Sequence, residues 1–417
     1  MIQMKKQRKN DDRMKKKVLF VINTLGHAGA EMALLELFRR LSPQEYEISL
    51  FVLMGQGELV DRLPEHVTLV NDRYCNESVL SVEGQKHLRS TVIRSAFMRG
   101  NGIRLLPYMI RNAWNMIIKH KLQADKLLWR LISDSAQRLD EEYDMAVAYL
   151  EGGSAYYVID HVKARKKVGF IHIDYRQAGY TRALDRDCYL HMDRVFTVSE
   201  EARDSFVKAY PECESRTYLF HNLLNREMIE ELSNMDEGFQ DDYEGLRLLT
   251  VGRLNYQKAY DVAIEAMQVL KSRNIDARWY VIGEGSSHKE LQRQINEAGL
   301  QEAFILLGAK SNPYPYYSQC DIYIHATRFE GKSIAIQEAQ ILGCGIIASD
   351  CSGNRHQIIP REDGLLCELN PEAIADTVEE YINDAVLYDT CAKNAQKKQL
   401  SHEEEIDRLL ELMRTGK

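Results

Sequence analysis

Asp321-Ile-Tyr-Ile-His-Ala-Thr-Arg-Phe329 runs directly into Glu330-Gly-Lys-Ser-Ile-Ala-Ile-Gln-Glu338. The first run is apolar and aromatic, as a buried parallel strand is. Gly331 then supplies a tight turn, and small residues open a helix. Two glutamates eight positions apart bracket that start. On a continuous helix they stand roughly 12 Å apart along the axis. A retaining glycosidase pair needs about 5 Å, so that chemistry is excluded. The spacing suits two contacts to the ends of one elongated ligand. Free amides at 332–334 would face its middle, and a helix start with free N–H groups favours an anion such as a diphosphate.

Outward from this stretch, apolar strand-length runs alternate with helix-length segments. One series comprises Lys17–Ile22, Glu47–Leu53, Val67–Val70, Asp144–Leu150, Lys167–Ile173, Arg194–Val198 and Thr217–Phe220. A second comprises Leu246–Val251, Arg278–Ile282, Phe304–Leu307, Asp321–His325 and Gly345–Ala348. Such alternation predicts an α/β chain of two doubly wound, Rossmann-like domains. The expected organisation is a basic tail over 1–16, a first domain over 17–224, an acidic linker over 225–244, a second domain over 245–395 and a helical tail over 396–417. A basic helical insert is expected at 86–139.

Composition agrees with that class. The 417 residues are 45% hydrophobic with eight prolines, which suits two globular domains. A net charge of −8 argues against bulk nucleic-acid binding. The eight cysteines contain no C-x-x-C pair, so a reduced, cytoplasmic protein without a zinc site is expected. No apolar run approaches the roughly 20 residues that span a bilayer.

Candidate ligand contacts collect after the strands of the second series. Gly252 follows a buried strand and lets backbone or ligand come close. Arg253 and Lys258 then fall where the crevice of such a sheet lies, a forked donor and a point charge suited to a diphosphate. Gly283-Glu-Gly285 and Gly308-Ala309-Lys310 are further turns on the same edge. In the first series, Gly26-His-Ala-Gly29 is a glycine loop without full dinucleotide spacing. His172 follows an apolar run and sits near a strand end, where it is either structural or a contact to a sugar hydroxyl.

Taken in order, Gly26-x-x-Gly29-Ala-Glu31, His172, Asn222, Val251-Gly-Arg253 with Gln257-Lys258, Gly283-x-Gly285, Glu330 with Glu338, and Asp363-Gly-Leu365 resemble the retaining glycosyltransferases of family 4, with the GT-B fold. The match runs from about residue 17 to 395. The resemblance implies that Glu330 contacts the donor sugar and Glu338 the ribose hydroxyls. It implies that Arg253 and Lys258 bind the diphosphate and stabilise the leaving group. Amides near Ser333 and Ile334 match the phosphate contact, and Gly29, Gly283 and Ala309 match further donor contacts. His172 matches a histidine beside the reacting sugar. Two domains closing over the donor are expected, with no metal and no cofactor beyond the nucleotide-sugar substrate, UDP being the expected nucleotide. Two positions depart from the pattern: Ala259, where glycine is frequent, and Lys332, where an aromatic is frequent.

The acceptor is read less directly. Residues 86–130 hold ten Lys/Arg and a single acid, Asp125, interleaved with apolar side chains. They read either as helices packed on the first domain with solvated arginines, or as a surface for anionic lipid headgroups. Transfer to a glycan or lipid-linked acceptor, peripheral to the inner face of the cell membrane, is the leading expectation. A small soluble acceptor, or a non-enzymatic nucleotide-sugar binder, are the alternatives.

Overall fold

A computed structural model describes residues 15–26, 29–79, 81–97, 101–118, 124–235, 238–398 and 403–415. The expected tail over 1–16 lies almost wholly outside these residues, as do His27 and Ala28 of the first glycine loop. The chain forms two compact units.

The first unit holds seven parallel strands: β1 (Lys16–Ile22), β2 (Tyr46–Val52), β3 (Val67–Leu69), β4 (Glu142–Ala148), β5 (Lys163–Ile171), β6 (Arg194–Thr197) and β7 (Thr217–Leu219). They stand in the order β3-β2-β1-β4-β5-β6-β7. Val18 through Ile22 are completely buried, which is why the run reads as continuously apolar. Alternate side chains of β1 enter different cores. Val18, Phe20 and Ile22 pack with the C-terminal helix Glu403–Thr415 through Ile406, Leu409, Leu412 and Met413. Leu19 and Val21 belong to the core that holds Tyr108, Leu127 and Ile132 of the insert.

The second unit holds β8 (Leu246–Val251), β9 (Ala277–Ile282), β10 (Phe304–Gly308), β11 (Ile322–His325), β12 (Gly345–Ser349) and β13 (Leu365–Cys367). All are parallel, in the order β10-β9-β8-β11-β12-β13. The chain direction along the sheet reverses between β8 and β11. In an open α/β sheet that reversal leaves a crevice beyond the strand ends, where ligands bind.

Three expectations change. Residues 225–244 are not a linker. The second unit begins at Leu224, and Asn225 caps the helix Arg226–Ser233 by accepting from the Met228 amide at 2.9 Å. The acidic stretch is drawn in further at Asp241, which accepts from Arg247 (2.9 Å) and the Tyr280 hydroxyl (2.6 Å). The tail over 396–417 is likewise not a unit by itself, because 402–417 rejoins the first unit through the apolar contacts above. The insert starts earlier than expected and consists of the helices Val82–Phe97, Asn101–Arg104, Leu106–Ile118 and Ala124–Ser135.

Candidate functional site

Two loops meet at the crevice of the second sheet. One follows β8 and carries Gly252 to Lys258; the other follows β11 and carries Ala326 to Ser333. Backbone and side-chain bonds stitch them together. Thr327 Oγ1 donates to the Gln257 carbonyl at 3.0 Å, the Arg328 amide donates to the same carbonyl at 2.8 Å, and Gln257 Nε2 donates to the Phe329 carbonyl at 3.0 Å. Arg328 reaches back to Asp261 at 2.5 Å and to the Tyr256 carbonyl at 2.7 Å. The loops are therefore pre-ordered.

Lys258 and Glu330 stand at the centre. Lys258 Nζ lies 2.5 Å from Glu330 Oε2, and both side chains are only 13% exposed. His325 Nε2 lies 3.2 Å from the same oxygen, and its Nδ1 is 2.9 Å from the Tyr323 hydroxyl. Burial, then the Lys258 charge, pushes the His325 imidazole down to about 4, so it is neutral at pH 7. A neutral ring serves both partners if Nε2–H donates to Glu330 and Nδ1 accepts from Tyr323. Burial would raise the Glu330 carboxyl, but Lys258 and the His325 hydrogen bond hold it well below the usual range. Glu330 is thus a buried, fixed anion. Gln257 Nε2, at 3.3 Å, occupies its other oxygen.

Arg253 lies on the same loop, exposed and with no ion-pair partner among the described residues. Lys258 is paired with Glu330, whereas Arg253 is the cation of the two with no ion-pair partner among the described residues. Ala259 follows with φ 45° and ψ 37°, in the left-handed region. Glycine adopts that conformation freely, and alanine holds the turn at modest strain.

Glu338 sits on the helix Ile334–Ile341, whereas Glu330 lies before it, so the two do not share a helix axis as expected. Tyr317 and Tyr314 donate to Glu338 at 3.1 and 3.3 Å. Burial outweighs these bonds and pushes the carboxyl up to about 7. The expected run of free amides at 332–334 is corrected at Ser333. Its N–H donates to Gln357 Oε1 at 2.6 Å, and Gln357 Nε2 returns a bond to the Ser333 carbonyl at 2.8 Å. Ile334 opens the helix, where the first-turn N–H groups have no intrahelical acceptor.

The glycine turns hold these loops at backbone contact. A Cβ at Gly283 would lie 2.0 Å from the Gly252 carbonyl oxygen, and one at Gly285 2.2 Å from that of Leu254. Gly353 presses on the Glu330-Gly331 turn, where a Cβ would come within 2.0 Å of the Gly331 oxygen. Ala309 is exposed just beyond β10.

In the first unit, Gly29 opens the helix Gly29–Arg40 after β1. His172 lies just past β5, with its amide bonded to Glu151 at 3.0 Å. The ring packs 5.0 Å from Tyr149, whose backbone is its nearest polar partner, and neither ring nitrogen makes a well-aligned hydrogen bond among the described residues. Burial pushes it down to about 4. It is a neutral imidazole with unspent hydrogen-bonding capacity.

Sequence reading did not single out His325, Gln257's bond to Glu330, Tyr314 and Tyr317, or Gln357. The one local signal was a histidine ending an otherwise apolar strand five residues before Glu330.

The glycosyl transferases group 1 family matches residues 237–398. An N-acetylgalactosaminyltransferase of Campylobacter jejuni acting on a diphospho-undecaprenol substrate is 29% identical over 44% of this chain and 49% of its own length. An Escherichia coli α-1,3-galactosyltransferase named for UDP-Gal and a diphosphoundecaprenol acceptor is 28% identical over 36% of this chain and 39% of its own. The chain thus spans about half or less of the length of these relatives. The crystal structure of Anabaena HepE with UDP superposes with a TM-score of 0.65 at 16% identity, covering 96% of this chain and all of the other. At that identity the likeness concerns the fold. The part of the chain that the glycosyl transferases group 1 model matches thus lies within the second unit, and the fold is that of the GT-B structures.

Proposed function

We propose that the crevice beyond β8 and β11 binds a nucleoside-diphosphate sugar, UDP being the nucleotide, and that the chain transfers the sugar to an acceptor hydroxyl with retention. The observation that carries this reading is Glu330, a buried anion fixed by Lys258 and His325 in the crevice, with the open cation Arg253 on the adjoining loop. Arg253 and Lys258 neutralise the departing diphosphate, the part a metal ion would otherwise take. Glu330 orients the donor sugar and Glu338 accepts from the ribose hydroxyls. Gly29, Gly283, Ala309, Ser333 and Ile334 are assigned to the donor's surroundings, with the Ile334 amide in place of the Ser333 amide toward phosphate. His172 is assigned to a substrate hydroxyl, which a neutral imidazole serves as donor or acceptor. No side chain is assigned as a covalent nucleophile, so the leaving phosphate takes the acceptor proton as the new bond forms on the same face. The acceptor is a glycan or a lipid-linked sugar in cell-surface polysaccharide or glycolipid synthesis, met at the cytoplasmic face of the membrane.

The test is binding and slow hydrolysis of UDP-, GDP-, ADP- and dTDP-sugars by the purified chain. One donor should bind saturably, and Arg253→Ala should weaken it by about tenfold or more, the loss of one charge-assisted contact. Absence of binding by every donor overturns the reading.

Glu338 adds a pH signature. Its pKa of about 7 in the folded protein lies above the ordinary 4.5, so its stabilising contribution is full below pH 4.5 and is lost as pH rises through 7. An ionised carboxylate is the better acceptor for ribose hydroxyls, so donor affinity should rise between pH 6 and 8. In Glu338→Gln that rise should disappear and affinity at pH 8 should fall about tenfold. The variant should also be more stable than the parent at pH 8, by about 1–2 kcal/mol after allowance for its partial exposure. Calorimetric titration and thermal melts across this range check both signs. A variant that keeps the pH slope removes Glu338 from the ribose contact.

A further inference from the structure

We propose that the helical insert of the first unit is a docking surface for an anionic lipid bilayer. Among the described residues, eight of the thirteen large apolar side chains that are exposed fall within 93–118. Their placement is periodic. On the helix Leu106–Ile118, Leu106, Ile110, Trp114 and Ile117 lie one or more turns apart along one stripe, each at least 51% exposed. The adjoining side of this helix is already used: Tyr108 is buried and Met109, Ala113 and Met116 pack on the first unit's core. The apolar face of the helix is therefore wider than the part that packs, and the remainder has no partner among the described residues. On the helix Val82–Phe97, Phe97 is also 83% exposed, one turn after the exposed Ile93. Among the described residues, nothing covers this stripe.

Charge selects the occupant. The described residues 83–118 hold Lys86, Arg89, Arg94, Arg104 and Arg111 against the single acid Glu83, in a chain of net charge −8. Lys86 pairs with Glu83 and Arg104 with Asp134. Arg89, Arg94 and Arg111 are exposed without an ion-pair partner among the described residues. Exposed apolar side chains and unpaired guanidinium groups on the same two helices match the acyl boundary and the phosphates of an anionic leaflet. A cavity of about 430 Å³ lies against the helix Val82–Phe97, which lines it with Thr91, Arg94 and Ser95, and adds a place for a headgroup. Arg73 and Arg94 line it against the single acid Asp72, and the buried Thr91 hydroxyl there has no partner. No helix among the described residues is long and apolar enough to cross a membrane, so the contact is one of lying on the surface.

This inference goes beyond the donor site and is tested without any nucleotide sugar. The full chain is sedimented with vesicles of phosphatidylcholine alone and with added phosphatidylglycerol. It should pellet with the anionic vesicles only, salt should release it, and Trp114 fluorescence should shift to the blue on binding. Ile110→Ser with Trp114→Ser and Ile117→Ser should weaken binding at least tenfold, and so should Arg89→Glu with Arg111→Glu. All five side chains are exposed, so an unchanged urea midpoint shows that the variants fold. A parent that stays in the supernatant with anionic vesicles overturns the proposal, as do variants that bind like the parent. Sedimentation velocity provides the other decisive outcome: self-association that the serine variant abolishes would make this face a contact between copies of the chain.

Discussion

Lys258→Ala should lower donor turnover by a factor on the order of 10²–10³ and destabilise the second unit by about 3 kcal/mol. Both effects come from one ammonium group. Lys258 holds Glu330 as an anion in a place where the paired side chains are 13% exposed. Without it the carboxylate keeps only His325 and Gln257, and burial dominates. The pH dependence follows with a definite sign. In the parent, the Glu330 pKa is held below the ordinary 4.5, so its stabilising contribution is present above pH 4.5 and is lost as pH falls through the lower folded value. In the variant the carboxyl shifts upward, and the contribution is lost as pH rises. The stability gap between parent and variant should therefore be widest at pH 7, shrink toward pH 4.5 as the variant's carboxyl protonates, and close further below that as the parent's does. Adding Glu330→Gln removes the stranded charge, so the double variant should regain most of the stability and none of the turnover. Urea unfolding and donor hydrolysis, measured on all three proteins, separate the two roles. A single variant as stable as the parent would mean that this ion pair contributes nothing to the fold. Full turnover in the same variant would remove Lys258 from the leaving-group site.

Gly353→Ala should reduce turnover by about 10²-fold although residue 353 carries no chemical group. The added Cβ would sit 2.0 Å from the Gly331 oxygen and 2.4 Å from that of Glu330. Both are backbone atoms, so no side chain can swing away, and the turn that presents Glu330 must shift. A displacement of that kind moves the carboxylate from Lys258 and His325 together. Gly299→Ala is the control. Its φ of +68° makes alanine strained by about 1 kcal/mol, yet nothing lies within 4 Å of the new Cβ. It should lower the melting temperature slightly and leave turnover unchanged. Equal turnover losses in both variants would show a general loss of folding rather than a displaced Glu330.

The strands were legible where they are long and buried on both faces. β1 and β8 appear in the sequence as Lys17–Ile22 and Leu246–Val251, close to their observed limits. β13 is only Leu365–Cys367, too short for a periodic signal, and was missed. Residues 225–244 read as a linker because acidic, irregular sequence carries no mark of what it packs on. Asp241 joins the second unit through Arg247 and Tyr280, contacts that depend on sheet order. Ser333 shows the same limit: its amide is taken by Gln357, 24 residues away, and no local rule announces such a bond.

By itself, the sequence determined the α/β class, the two strand series, the glycine turns and the kinds of side chain that follow each strand. These depend on period-two burial, helix periodicity and backbone freedom, all of which act over a few residues. The tertiary structure decided which of those side chains meet. Placing β11 beside β8, with β9 and β10 on the far side, brings Glu330 against Lys258 across 72 positions. It makes the neutral His325 their third partner, closes Ser333 and leaves Arg253 open. It also returns the C-terminal helix to the first unit and exposes one apolar side of the insert. Charge state and accessibility come from burial and from neighbours distant in the chain, and only the folded sheet order supplies those.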